Sequence, residues 1–119
     1  MPRVADYSII SDGWVAGPDN DQIEFTVASN VDPGSRSILG FMLDVKNNDD
    51  LTIKIRINGS EVWKWNYSGS SDHPVRHFQE VVGAGIVKPG TNVFSIDTSS
   101  GDKHYVGLSD IVIWWQANI

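Results

Sequence analysis

Three aromatic residues at alternate positions, Trp63, Trp65 and Tyr67, follow a run in which Lys54 and Arg56 also alternate. Side chains two apart share one side of an extended chain, so the rings form a row. An indole or phenol offers an apolar plane with a polar edge, and neighbouring charged groups supply fixed donors and acceptors. That pairing suits a sugar, whose C–H face packs on a ring while its hydroxyls need hydrogen-bond partners. Glu61 lies within the same run, and Asp72, His73 and Arg76 follow closely enough in sequence to add polar contacts. The predicted ligand-binding set is therefore Trp63, Trp65, Tyr67, Lys54, Arg56, Asp72, His73 and Arg76.

Other chemistries are poorly served. Glycoside hydrolysis needs two carboxylates at a set separation in a cleft, and nothing in the spacing of Asp44, Glu61, Glu80, Asp97 or Asp110 singles out a pair. No convergent catalytic set is visible, so no enzyme activity is expected. His73 and His77 are four apart, which on a strand separates them by about 13 Å, too far to share an ion unless the loop bends. With His104 they read as ordinary histidines. The absence of cysteine excludes disulfides, thiolate catalysis and cysteine-ligated metals. A formal charge of −6 with few clustered cations argues against a nucleic-acid partner.

The aromatic row must be positioned by the hairpin over residues 51–67. Leu51, Ile53, Ile55 and Ile57 alternate with Thr52, Lys54 and Arg56, the period of a strand with one buried side. Asn58-Gly59 tolerates the positive φ values of a two-residue type I′ turn. With only those two residues in the loop, Lys54 stands opposite Trp63 and Thr52 opposite Trp65. Directly opposed residues share a face, so the three aromatics are expected outside, with the cations and away from the isoleucines. That facing requires an unbroken register, because one β-bulge after Val62 reverses it. The competing reading makes the rings core, or covers them with a partner chain.

Strand-like alternation continues elsewhere. Residues 4–10, 22–28, 38–46, 75–82, 91–98 and 105–116 read as strands, separated by turns rich in Gly, Pro, Asn and Asp. The inner side of 75–82 is ambiguous. Ile111 to Trp115 is apolar on both sides, so Trp114 and Trp115 point to opposite faces and at most one joins a binding surface. No segment keeps a helical period and none repeats. About eight mostly antiparallel strands in one domain spanning residues 1–119 predict an all-β jelly-roll sandwich.

Four segments carry a resemblance to a known group. The run from Leu51 to Val62 with its Asn-Gly turn, the strand from Pro74 to Val81, the Lys88-Pro89-Gly90-Thr91-Asn92 turn into Val93-Phe94-Ser95-Ile96, and Leu108 to Trp114 together resemble galactose-binding-domain-like jelly rolls. That group includes the sugar-binding domain of family 2 glycoside hydrolases and several carbohydrate-binding modules. The likeness covers roughly residues 38–116 by motif order, and it implies a sandwich with a sugar-binding, protein-binding or structural role. Many such domains hold a structural calcium ion. Asn47, Asp49 and Asp50 form an oxygen-rich cluster, which a solvated turn explains equally well. No other cofactor is expected.

Two functional expectations result. The first is a non-catalytic, lectin-like carbohydrate-binding module using an exposed aromatic face. The second is a structural or assembly protein in which that face forms a homo-oligomer interface. The opening MPRVADYSII lacks a signal-peptide apolar run, and no segment approaches the ~18 apolar residues of a membrane helix. A cytoplasmic location or export by another route is the corresponding expectation.

Overall fold

Period-two alternation produces nine strands in a computed structural model that describes residues 2–16, 22–46, 50–67, 75–98 and 105–119, with backbone alone at 16, 46, 67 and 105. They are β1 (Arg3–Ser11), β2 (Val15–Ala16), β3 (Gln22–Val27), β4 (Ser37–Lys46), β5 (Leu51–Ile57), β6 (Ser60–Tyr67), β7 (Arg76–Val82), β8 (Gly90–Thr98) and β9 (Tyr105–Asn118). One sheet runs β1-β9-β4-β7, with the short β2 added to β9, and the other runs β3-β8-β5-β6. Every pairing is antiparallel. The chain crosses between the sheets at almost every connection, which is the jelly-roll path expected from the turn spacing.

The inward row of each central strand fills the space between the sheets. Leu39 and Phe41 on β4, Ile53, Ile55 and Ile57 on β5, Phe94 and Ile96 on β8, and Ile111 and Ile113 on β9 are fully buried. Burial of side chains of this size stabilises by about 1.5–3 kcal/mol each, so these rows set the facing of every strand. On β7 the ambiguity is resolved by partners: Phe78 stands opposite Phe41 and faces inward, leaving His77, Gln79 and Val81 outside.

Two polar clusters lock the ends of the sandwich. Asn92 is 0% exposed. Its Nδ2 donates to the carbonyls of Lys88 (2.8 Å) and Gly90 (3.1 Å), and its Oδ1 accepts from Lys88 N (2.9 Å) and Asn58 Nδ2 (2.8 Å). The Lys-Pro-Gly turn is thereby tied to the tip of the β5-β6 hairpin. Gly90 at its centre has φ 87°, a conformation that costs a residue without Cβ little. At the other end Arg3 holds Asp32 (2.6 Å) and Ser35 (2.6 Å), joining the start of β1 to the loop before β4.

Candidate functional site

The hairpin turn is as expected: Asn58 (φ 52°) and Gly59 (φ 84°) form the two-residue loop, and Ile57 pairs with Ser60. The register beyond it is not. Arg56 stands opposite Glu61, but Ile55 stands opposite Trp63, Ile53 opposite Trp65 and Leu51 opposite Tyr67, with the break between Ile55 and Arg56. Val62 is the extra residue. The expected outward facing of the aromatic row is thus overturned, because a bulge shifts every later residue to the other side.

Trp63 and Trp65 are half-buried against the core. They close the seam where β6 of one sheet meets β7 of the other. Trp63 lies edge-on to Phe41 (5.0 Å, 76°) and Phe78 (5.3 Å), and Trp65 lies 5.5 Å from Phe78. Aromatic pairs in such tilted arrangements add to the energy of area burial, so the seam rewards inward rings. Tyr67 joins this register by its backbone.

Lys54 and Arg56 do face outward from β5, so the structure separates them from the tryptophans expected beside them. Arg76 is exposed at the start of β7 in the other sheet, opposite Leu43. Asp72 and His73 lie outside the described residues, as do His104, Asn47 and Asp49. Asp50 is exposed just before β5. Among the described residues, no group of three or more His, Asp or Glu gathers where a metal ion could be held.

A different aromatic face is presented to solvent. On the outer side of the β1-β9-β4-β7 sheet, Tyr7 pairs with Trp114, Trp114 with Ile38, and Ile38 with Val81. This row crosses all four strands, about 14 Å at the usual strand spacing. Tyr7 is 56%, Ile38 43% and Val81 55% exposed, and Ile9 is similarly open one position along. Trp115, by contrast, is 4% exposed and belongs to the core. The doubly apolar end of β9 therefore serves the interior with one side and this outer face with the other.

Gly40 shapes that face. It pairs with Val112 on β9 and Gln79 on β7, and a Cβ there would fall 2.7 Å from Trp114 Cζ3 and 3.3 Å from His77 Cε1. The indole thus crosses from β9 over the bare backbone of β4 toward His77. A strand glycine is otherwise a weak choice, and close approach of a ring is what makes it useful. His77 and Gln79, both exposed, put hydrogen-bonding groups next to the indole. The sequence signal for this face was the apolar pattern of 111–115; the partners Tyr7, Ile38 and Gly40 carried none.

The outer side of the β3-β8-β5-β6 sheet is polar instead. Thr52, Lys54, Arg56, Lys64, Asp97 and Thr98 line a shallow depression of about 270 Å³. Arg56 is ion-paired with Asp97, Lys54 lies 4.0 Å from Glu61, and Thr52 Oγ1 donates to Asn66 Oδ1 (2.8 Å).

No protein-family model matches the chain, and no curated protein does. Solved structures do. The chain aligns over 99% of its length with dimeric latent PorU from Porphyromonas gingivalis, at a TM-score of 0.76 and 10% identity, but spans only 13% of that chain. It covers 100% of the CBM22-1 xylan-binding domain from Paenibacillus barcinonensis Xyn10C, at a TM-score of 0.52 and 10% identity. A family 35 carbohydrate-binding module from Clostridium thermocellum matches over 94% of this chain and 90% of its own, at 0.52 and 14%. At these identities the likeness establishes the fold alone, a jelly-roll β-sandwich.

Proposed function

We propose that the protein is a non-catalytic carbohydrate-binding module whose ligand packs on the outer face of the β1-β9-β4-β7 sheet. The observation that carries this reading is the half-buried Trp114 indole laid over Gly40, with Tyr7 beside it and His77 and Gln79 at its rim. An apolar ring for the C–H face of a sugar and adjacent donors and acceptors for its hydroxyls are the requirements for stacking recognition. The shared fold with a xylan-binding domain and with a family 35 carbohydrate-binding module supports a saccharide as the ligand. The surface is open, so such binding would be weak at a single site and raised by repetition on a polymer.

The test is binding to a panel of soluble polysaccharides by affinity electrophoresis or calorimetry. Trp114→Ala is expected to weaken binding at least 10-fold while leaving the urea midpoint nearly unchanged. Undiminished binding by that variant sinks the assignment of this face.

A second reading rests on the aliphatic members of the same row. Ile9, Ile38 and Val81 are exposed together with Tyr7, and contiguous apolar surface of this kind marks protein contacts as well. In that case the face joins two copies of the chain. Light scattering that finds a dimer, dissociated by Ile38→Lys and Val81→Lys, would favour assembly; a monomer across the concentration range removes it.

A further inference from the structure

We infer that the depression on the opposite sheet is a second binding site, chemically unlike the first, for the carboxylate of an acidic sugar such as a uronate. Lys54 on β5 pairs directly with Lys64 on β6. Like charges placed opposite one another on a sheet destabilise it, so this arrangement needs a reason. Lys54 has one carboxylate, Glu61, at the 4.0 Å limit of an ion pair. Asp97, which pairs with Lys54 across the β5-β8 ladder, is engaged by Arg56 instead. Lys64 has no ion-pair partner among the described residues. Three cations and one carboxylate line the depression in a chain whose formal charge is −6.

An anion bridging the Lys54 and Lys64 ammonium groups would turn their mutual repulsion into two charge-assisted hydrogen bonds. The surroundings narrow its chemistry. Thr98 and the Asn66 Nδ2 group offer neutral hydrogen-bonding groups around the cations, and Asp97 supplies an acceptor for a sugar hydroxyl. A polyanion such as nucleic acid would meet Asp97 and Glu61 unfavourably, whereas one carboxylate on a hydroxylated ring matches the mixture. The volume of about 270 Å³ lies just below the ~300 Å³ at which small-molecule sites usually begin, which fits a single ring.

Amide chemical shifts in the intact chain, titrated with sodium glucuronate, glucose and sodium sulfate at low ionic strength, test the assignment. Glucuronate is expected to shift the amides of Lys54, Lys64 and Thr98, with affinity falling at least 5-fold between 50 and 500 mM salt, as screening requires. Lys64→Gln should weaken it at least 5-fold, and Lys54→Gln likewise. Trp114→Ala should not change it, which separates failure here from failure of the sugar face on the other sheet. Glucose matching glucuronate, sulfate matching glucuronate, or indifference to both lysine substitutions would each overturn the assignment.

Discussion

A Cβ built on Gly40 would sit 2.7 Å from Trp114 Cζ3, closer than side-chain carbons approach in folded proteins, so the indole and the glycine occupy one shared space. Gly40→Ala must therefore move the ring. The position lies within a strand, where alanine is acceptable to the backbone, and Trp114 has open solvent beyond it. Stability is expected to fall by no more than about 1 kcal/mol. Polysaccharide affinity should fall by as much as in Trp114→Ala, with a shift in tryptophan fluorescence. Equal binding by Gly40→Ala would mean that the ring's seat is irrelevant to the ligand.

The inward turn of Trp63 predicts a different outcome for the hairpin. Trp63→Ala removes a ring packed on Phe41 and Phe78 and opens the seam between the sheets. A loss of about 3 kcal/mol is expected, near the low end for aromatic truncation because the ring is only half-buried. Urea unfolding measures it. A loss below about 0.5 kcal/mol, typical of exposed positions, would indicate a solvent-facing ring.

Deleting Val62 is a sharper test of the bulge. Without it the Asn58-Gly59 turn places Trp63 directly after Glu61 and opposite Ile55 in an unbroken ladder, so Trp63 and Trp65 keep their inward facing. The variant is expected to lose less stability than Trp63→Ala, only the contacts of the half-buried Val62 side chain, and to bind no hydrophobic dye. A loss exceeding that of Trp63→Ala would show that the bulge itself, and not only the facing it sets, holds the seam.

Asn92 makes four hydrogen bonds from a fully buried position. Asn92→Ala leaves Lys88 N and the Lys88 carbonyl without those partners, each costing about 1–3 kcal/mol when buried. A loss of about 3 kcal/mol is expected in chemical denaturation, together with faster amide exchange at Asn58 and Val93. Asn92→Asp should not rescue it, since Nδ2 donates two of the four bonds.

The Ser35 hydroxyl and the Arg3 guanidinium hold the Asp32 carboxyl below its ordinary value of 3.8. A carboxylate lowered in the folded state stabilises above its unfolded pKa and loses that contribution as pH falls through the folded one. The tie between β1 and the loop before β4 is therefore expected to be constant above about pH 5 and to weaken under acid. Hydrogen exchange at Val4 and Ala5, compared between the wild type and Asp32→Asn, should show the acid sensitivity in the wild type alone. The same slope in both proteins would place it elsewhere.

Local chemistry made much of the fold legible in advance. Period-two rows such as Leu51 to Ile57 and Gln22 to Val27 point one way because only one side of each is apolar. Asn58-Gly59 and Lys88-Pro89-Gly90-Thr91-Asn92 declare their turns through backbone conformations that few other residues accept. The run from Ile111 to Trp115 showed that both sides of its strand needed an apolar environment, though not that one side would be a solvent-facing sheet surface.

Chain order alone settled that the molecule is built from strands, the positions of all but the short β2 to within two residues, and that Trp114 and Trp115 diverge. Tertiary packing decided which rings face water. Facing in a hairpin depends on a count of residues, and one additional residue at Val62 reverses it at no cost visible in the amino-acid pattern. The seam formed by Phe41 and Phe78 rewards that reversal, yet those residues lie on other strands. Likewise Tyr7, Ile38, Gly40 and Trp114 are scattered along the chain and become one surface only when β1, β9 and β4 are laid side by side.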